Sequence, residues 1–285
     1  MKKKLLVAAI MAAMTLSASA VFAATPINFS GDGYLQYNNT QGDTGGNNGF
    51  DSRIRLNIDG TVDNVLNVHV RAKTLTDLST SYVGSENGQV QFDQAWVGGK
   101  LDNVDLKAGK MSLYSGKGLL MDDDGFNGIQ AGAALDGVQL NGFYGKDSGR
   151  VKTNIAEMKT AFGDVNFGAN YMEYGADHYY GLNADTKVGD AVLNVEYVKN
   201  TTTSDNGYMA GVTMGNYTVS YRDIEPTAID VHTTNTNYID SKGFKVAARY
   251  GLSKNSSITL YQDFAKHHDG SGNHERTNVE YDYNF

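Results

Sequence analysis

The sequence predicts an all-β protein, a transmembrane antiparallel up-and-down β-barrel of about sixteen strands, and three observations support this. Apolar and polar residues alternate along much of the chain, which is typical of strands with one face in lipid and one in water. Short turns alternate strictly with longer polar segments. The chain ends in "TNVEYDYNF", in which polar residues alternate with four apolar ones: Val279, Tyr281, Tyr283 and Phe285.

Residues 1–23 are predicted to be a secretory signal peptide. Three lysines precede an uncharged stretch rich in Ala and Ser, and Val21 and Ala23 fit a small-residue cleavage site. An uncleaved membrane anchor is the alternative, but this stretch contains few large apolar side chains. Cleavage after Ala23 would leave residues 24–285 as the barrel.

The composition argues against a nucleic-acid-binding protein, a disulfide-stabilised protein and a helical membrane protein. Removal of three lysines and no acid would take the formal charge from −8 to −11, which argues against nucleic acid as a partner. The chain has no cysteine, so an exported form must be stabilised by packing or by lipid. No later stretch has the roughly 18 apolar residues of a membrane helix, so a spanning chain would have to be a closed barrel.

The strands are predicted in chain order from their alternation. Clear alternation occurs over residues 54–58, 66–72, 104–108, 165–171, 193–197, 208–214, 217–221, 244–250 and 279–285. Pro26 and Pro226 lie outside these runs, as ladder hydrogen bonding requires. Residues 126–134 and 152–162 alternate poorly, which leaves fourteen and eighteen strands as alternatives.

The connections between strands fall into two classes. Short turns with Gly, Asn and Asp, which supply the positive φ of tight hairpins, are predicted at 62–64, 101–103, 135–137, 162–164, 188–190, 214–216 and 252–255. Longer polar segments are predicted at about 38–49, 77–88, 111–125, 147–152, 175–178, 200–206, 224–240 and 266–274. Strict alternation of short and long connections is typical of an outer-membrane barrel.

An even number of strands brings both termini to one end of the barrel. Phe285 would then close the barrel beside the first strand, "INFSGDGYLQY", and the terminal aromatic is similar to the signal read by outer-membrane barrel assembly. A barrel of this width leaves an aqueous channel. The 18 tyrosines fit an aromatic girdle, although strands favour Tyr in any case.

The segment "QAWVGGKLDNVDLKAGKMSLYSGKG" (94–118) resembles the general porins of Gram-negative bacteria. Gln94, Ala95, Val97, Gly98 and Gly109 match the family's pattern, whereas Trp96 and Lys110 depart from it. The resemblance implies a passive channel for small hydrophilic solutes and ions in the outer membrane of a diderm bacterium, embedded in lipid as a homotrimer.

The resemblance also implies a third loop that folds inward, with acids facing a basic cluster on the wall. Segment 111–125 carries the candidate acids Asp122, Asp123 and Asp124. The candidate basic wall comes from the polar side of two neighbouring strands: Arg53, Arg55, Arg71 and Lys73. Close like charges require screening or counter-charges, which the acids would supply. An exposed acidic loop or a calcium site are the alternatives for "DDDG", and a structural salt-bridge network is the alternative for the cations.

Catalytic and metal sites find little support in the sequence. His267, His268 and His274 could hold a metal, but chance clustering in an outer loop is the favoured interpretation. No Ser or Asp pairs recognisably with a His, and "GDTGGNNG" lacks the strand-to-helix context of a phosphate-binding loop. We therefore predict neither an enzyme nor a cofactor.

The function predicted from the sequence is passive diffusion of small hydrophilic solutes through a water-filled pore. A substrate-specific channel is one alternative. A non-conducting barrel that acts as an adhesin or anchors the envelope is another, and single-channel conductance distinguishes it from a pore.

Overall fold

Sixteen antiparallel strands form one closed barrel in the part of the chain that the structure, a computed structural model, describes. The described residues are 27–41, 47–63, 65–78, 90–229, 232–233, 235 and 238–285, so the predicted signal peptide lies outside them. The strands are β1 Asn28–Gln41, β2 Asn47–Val62, β3 Leu66–Asp77, β4 Gln91–Leu101, β5 Val104–Ser115, β6 Met121–Leu135, β7 Val138–Lys146, β8 Lys152–Phe162, β9 Val165–Tyr174, β10 Asp177–Val188, β11 Ala191–Asn200, β12 Asn206–Met214, β13 Tyr217–Ile224, β14 Ser241–Ser253, β15 Ser256–His267 and β16 Asn273–Asn284.

The barrel closes between its first and last strands, as predicted. β1 pairs antiparallel with β16, with Leu35 opposite Tyr281. Gly31 and Phe285 exchange two backbone hydrogen bonds of 2.9 Å each, and the absence of a side chain on Gly31 leaves room for the Phe285 ring. Closure therefore gives the first and last strands a partner on each side.

The short turns lie where the sequence predicts them. Asp102 (φ 54°) and Gly189 (φ 58°) adopt the left-handed backbone that tight hairpins need. Asp136 and Gly137 are both left-handed, with φ of 45° and 84°. The Asp and Gly residues of these short turns therefore fix how the two strands of each hairpin are aligned.

Several of the longer connections are shorter than the sequence suggests, because strands extend into them, whereas those between β3 and β4 and between β13 and β14 keep about the predicted length. Segment 111–125, predicted to be loop, is mostly strand: β5 continues to Ser115 and β6 begins at Met121. The two poorly alternating segments are strands as well, β6 and β8. The count of sixteen is confirmed.

The strand faces differ in chemistry. On β2, Ile54 and Leu56 point outward, whereas Arg53 and Arg55 point into the lumen. A buried apolar cluster also lies inside the barrel; it includes residues of β7–β13 and extends to Ala265 of β15. Among the described residues, no helix is long and apolar enough to cross a membrane.

Candidate functional site

The hairpin formed by β5 and β6 leaves the barrel wall. β4 pairs with β5 only as far as Ala95 opposite Lys110, and β6 pairs with β7 only from Asn127 onward. Between these points β5 and β6 remain paired with each other, up to Ser115 opposite Met121. Among the described residues, no third strand pairs with residues 111–126, here called the inner hairpin.

A glycine lies where the hairpin leaves the wall. Gly109 has a φ of 135°, and a side chain at this position would meet the carbonyl oxygen of Ala95 and the backbone of Trp96. Left-handed φ combined with so close an approach of two backbones favours glycine over any other residue. The Gly109 match to the porin pattern thus has a local structural reason.

The tip of the inner hairpin contacts the inner side of β8–β11. Gly116 N donates to Glu157 Oε1 of β8 at 3.0 Å, and Leu119 N donates to Glu196 Oε2 of β11 at 2.9 Å. Lys117 pairs with Asp185 of β10. Carboxylates of β8 and β11 therefore satisfy backbone groups that the hairpin turn leaves without a partner.

Apolar side chains fill the space beneath this tip. Leu119, Leu120 and Met121 are at most 1% exposed and belong to the same cluster as Met172 of β9 and Val198 of β11. Full burial of such a side chain is worth about 1.5–3 kcal/mol. The hairpin is thus packed against one side of the barrel interior.

The structure brings three of the predicted site residues together. Arg71 Nη2 lies 2.7 Å from Asp124 Oδ2 and also 2.7 Å from Asp93 Oδ2. Lys73 Nζ lies 3.4 Å from Asp93 and 3.8 Å from Asp124. The contacts link the β3 wall to the inner hairpin, and the hydrogen bonds from Arg71 are of the strong, charge-assisted kind.

The other two basic candidates lie on the same wall but pair elsewhere. Arg55 is directly opposite Lys73 in the β2–β3 ladder. Its Nη2 lies 2.7 Å from Asp32 Oδ2 of β1, and Arg53 Nη2 lies 3.7 Å from the same oxygen. Arg53 and Arg55 therefore face the lumen without touching the acids of the hairpin.

Asp122 and Asp123 face the β13–β14 loop, residues 225–240, rather than the basic wall. Asp123 Oδ2 lies 2.7 Å from His232 Nδ1, and Asp122 N donates to the His232 carbonyl at 2.9 Å. The side chains of Thr233 and Asn235 donate to the Gly118 carbonyl at 2.6 and 3.2 Å. This loop and the inner hairpin start on opposite sides of the ring of strands and meet inside it.

Comparison with known proteins identifies the barrel. A family model described as "Gram-negative porin" matches residues 7–285. The chain belongs to the Gram-negative porin family. Proteins of this family are passive outer-membrane channels for small solutes rather than enzymes, and the barrel is accordingly a porin-type channel of the outer membrane.

Solved structures share this fold. A mutant of the Rh. blastica porin superposes with a TM-score of 0.63 at 15% identity, covering 91% of this chain and 100% of that one. A loop-deletion mutant of OmpT, an outer membrane protein of Vibrio cholerae, gives 0.59 at 13% identity, covering 92% and 100%. At these identities the likeness concerns the fold alone. The search of curated proteins found no match.

His232 holds the β13–β14 loop of the porin against the rim of the barrel. Its Nε2 lies 3.0 Å from the Tyr174 hydroxyl and 3.4 Å from Asp147 Oδ2. Burial alone would raise the pKa of Asp147, but hydrogen bonds from Tyr174 and from Val151 N–H, together with His232, lower it below its usual value. An ionised Asp147 favours this arrangement.

The three C-terminal histidines of the porin are only partly grouped. The rings of His267 and His274 lie 5.9 Å apart, whereas His268 bonds to Asp223 at 2.7 Å and to Asp240 at 3.3 Å. In the described ranges no three His or acidic residues converge as a metal site would require.

Sequence reasoning missed two participants in the lumen of the porin. Asp93 is 5% exposed and lies beside the bulge between β3 and β4, which turns it toward Arg71. The bulge has no clear mark in "QFDQAW". The β13–β14 loop was predicted at 224–240, but its position inside the barrel was missed because its polar composition is also that of an exposed loop. The apolar residues Ala228 and Ile229, which are buried, were the available signal.

Proposed function

We propose that this porin is a passive, water-filled pore for small hydrophilic solutes and ions, narrowed by the inner hairpin. The departure of residues 111–126 from the wall, with their tip against β8–β11, is the observation that carries the proposal. A sixteen-strand barrel is wide enough for an aqueous channel unless something narrows it.

The filled side of the barrel supports a particular route through the pore. The hairpin tip and the apolar cluster occupy the interior beside β8–β11. On that side the carboxylates of Glu157, Asp185 and Glu196 are engaged by the hairpin tip. The interior beside β14–β16 and β1–β4 carries charged side chains away from the tip, among them Arg55, Lys73 and Glu280. We infer that solutes pass along this charged side, because water and ions favour polar walls over apolar ones.

Opposed charges at the narrow part support weak ion selectivity. Arg71 and Lys73 on the wall pair directly with Asp124 on the hairpin, so these opposite charges largely cancel for an ion that passes beside them. We propose that these residues, with Arg53 and Arg55, set the small preference of the pore for cations or for anions. Asp122 and Asp123 would act mainly through their contacts with the β13–β14 loop.

Export and assembly complete the proposal. Residues 1–23 would be removed after Ala23, on the basis of the small-residue site, and mass spectrometry of envelope protein should find Ala24 first. The likeness to the general porins supports a homotrimer, which light scattering in detergent would measure.

Liposome swelling tests the proposed function. Vesicles that contain the refolded chain are placed in isotonic sugars of increasing size. A passive pore gives swelling rates that fall smoothly with the size of the sugar, whatever its identity. No swelling with the smallest sugar would contradict a pore, and much faster entry of one sugar than of another of equal size would indicate a substrate-specific channel.

A further inference from the structure

Two cations and a tyrosine form a separate group on the lumen side of the last three strands. Lys245 on β14 is directly opposite Asp263 on β15, and Asp263 is directly opposite Arg276 on β16. Tyr261 lies two residues before Asp263 on β15 and therefore on the same face. This face is the inner one, because Leu260 and Phe264, at alternate positions of β15, are exposed on the outer face.

Both cations lie against the same aromatic ring. Lys245 Nζ is 3.7 Å from the centre of the Tyr261 ring, and Arg276 Cζ is 4.9 Å from that centre. Cations within about 6 Å of an aromatic face are attracted by the ring quadrupole. The ring thus draws together two positive charges from strands that are not adjacent.

The one acid between them does not balance these charges. Asp263 is 2% exposed and accepts a hydrogen bond from the Tyr238 hydroxyl at 3.0 Å, and it lies 4.0 Å from Arg276 Nε. Within the described residues, the Lys245 ammonium has no carboxylate at ion-pair distance, and Arg276 Nε is buried without a hydrogen-bond partner. Glu280 lies on the same face of β16 and accepts a hydrogen bond from Gln36 at 2.7 Å, so acids nearby offset part of the positive charge, while Arg276 Nε remains an unused donor.

We propose that Lys245 and Arg276 form a binding site for the carboxylate or phosphate group of a small anionic solute in the passage. Arginine offers paired N–H donors that match the oxygens of either group, and lysine adds a mobile point charge. Water in the lumen weakens the attraction, which suits a pore because a solute must bind and then leave. The inference rests on the proposed function, since a solute must first enter the lumen.

Conductance in different salts tests the site. Single-channel conductance is measured in potassium chloride, potassium acetate and potassium phosphate over a range of concentrations. The proposal expects conductance to saturate in acetate, in phosphate or in both, and the comparison of these two salts tells which group binds. Isothermal titration of phosphate and acetate against the refolded barrel in detergent measures the same binding without conduction.

Two variants and one matched control assign the effect to residues. Lys245→Met and Arg276→Gln should each raise the half-saturating concentration about fivefold or more, as loss of a charge-assisted hydrogen bond implies. Arg249→Gln removes the same charge from the same face of β14, but Arg249 bonds to Ser257 at 3.2 and 3.1 Å, away from Tyr261. This control should leave half-saturation within about twofold.

The outcomes separate the two proposals. Strict proportionality between conductance and concentration in acetate and in phosphate, with no heat of binding, would overturn the site while leaving the pore intact. An equal shift in Arg249→Gln would overturn it too, because the effect would then be one of total charge. Absence of conductance in potassium chloride would contradict the pore itself, and the titration would still decide whether the anion binds.

Discussion

Of the adjacent hairpin acids, Asp124 meets Arg71 of the basic wall, whereas Asp123 meets His232 of the β13–β14 loop. Neutralising all three acids should move selectivity toward anions, and Asp124→Asn alone should account for most of that change. Removal of Arg53 and Arg55 should move it toward cations. Charged side chains at a narrow part of the pore lie closer to a passing ion than the Debye length of about 8 Å, so salt does not screen this interaction fully.

Reversal potential in a potassium chloride gradient measures these shifts. Asp123→Asn is the matched control, because it removes the same charge one residue away. Equal shifts in Asp124→Asn and Asp123→Asn would mean that contact with Arg71 is irrelevant to selectivity. If neither the acidic nor the basic variants shift the potential, these residues do not line the narrow part.

The last strand allows its two faces to be compared at neighbouring positions. Tyr281 points outward next to Leu35 and Ile258, whereas Asp282 points inward to Ser257 and Thr259. Tyr281→Lys should cost about 2–4 kcal/mol if it lies near the membrane midplane. Asp282→Lys should be tolerated. Urea unfolding in lipid vesicles compares the two, and equal costs would mean that the facing of β16 is wrong.

His268 should make the outer end of the barrel sensitive to pH. Burial alone would lower the pKa of His268, but its hydrogen bonds to Asp223 and Asp240 raise it above the usual value. Because the pKa is raised in the folded state, protonated His268 contributes its full stabilisation below about pH 6.5, the ordinary pKa of histidine. This stabilisation is lost as pH rises through the folded pKa.

Hydrogen exchange of the β13–β14 loop, which Asp240 ends, measures this effect. After correction for the intrinsic effect of pH on exchange, the exchange rate of the loop should rise as pH increases above about 6.5 and through the folded pKa of His268. His268→Gln should abolish this pH dependence. His178→Gln is the control, since His178 contacts Tyr171 on β9 instead. A loop whose protection is unchanged across the range, or changed equally by both variants, would exclude the His268 contact as its cause.

At the level of elements, the inner hairpin depends on its buried tip. Leu119 is fully buried, and Leu119→Asn should cost about 2–5 kcal/mol of docking energy because it removes apolar packing and buries an amide. The barrel should persist while the tip loosens. Trypsin should then cleave after Lys117, which is half-buried and paired with Asp185 in the native hairpin.

Limited proteolysis of the refolded barrel with trypsin measures cleavage after Lys117 and therefore whether the tip has loosened. Leu252→Asn makes the same chemical change at an exposed position of β14 and should leave Lys117 protected. Resistance of Leu119→Asn at Lys117 would mean that the tip is held by hydrogen bonds to Glu157 and Glu196 alone.

Sequence alternation predicted the elements best where the lumen-facing side chains are polar. On β2 every second side chain is polar, so Arg53 and Arg55 were placed on the inner face correctly. On β8 the inner face carries Ile155, which is buried in the apolar cluster beneath the inner hairpin, and the alternation fails there. Period-two reasoning assumes that one face is polar, and a packed interior removes that difference.

The contacts between elements were harder to predict than the elements. Lys245 and Arg276 are 31 positions apart in the sequence, and only the register of β14, β15 and β16 brings them to one tyrosine. The pairing of Asp124 with Arg71 was expected from the porin resemblance, whereas that of Asp123 with His232 was not. Local patterns carry no information on which loops meet across a barrel.

For the whole molecule, the interior has an apolar side and a charged side. Leu119 and its neighbours fill the space beside β8–β11, while the inner hairpin and the β13–β14 loop meet at Gly118 and His232. The formal charge of −8 describes the exterior and loops as much as the passage. Conduction should therefore depend on the few charges of the open side rather than on net charge.

Single-channel conductance with and without the hairpin tip tests the central claim most directly. Residues 116–120 are replaced by a two-residue Asn-Gly turn, which keeps the β5–β6 pairing but removes the contacts with β8–β11. The account predicts discrete conductance steps for the native chain and larger steps for the shortened one, because the tip occupies the lumen. Absence of steps in the native chain, or steps of equal size in both, would contradict it.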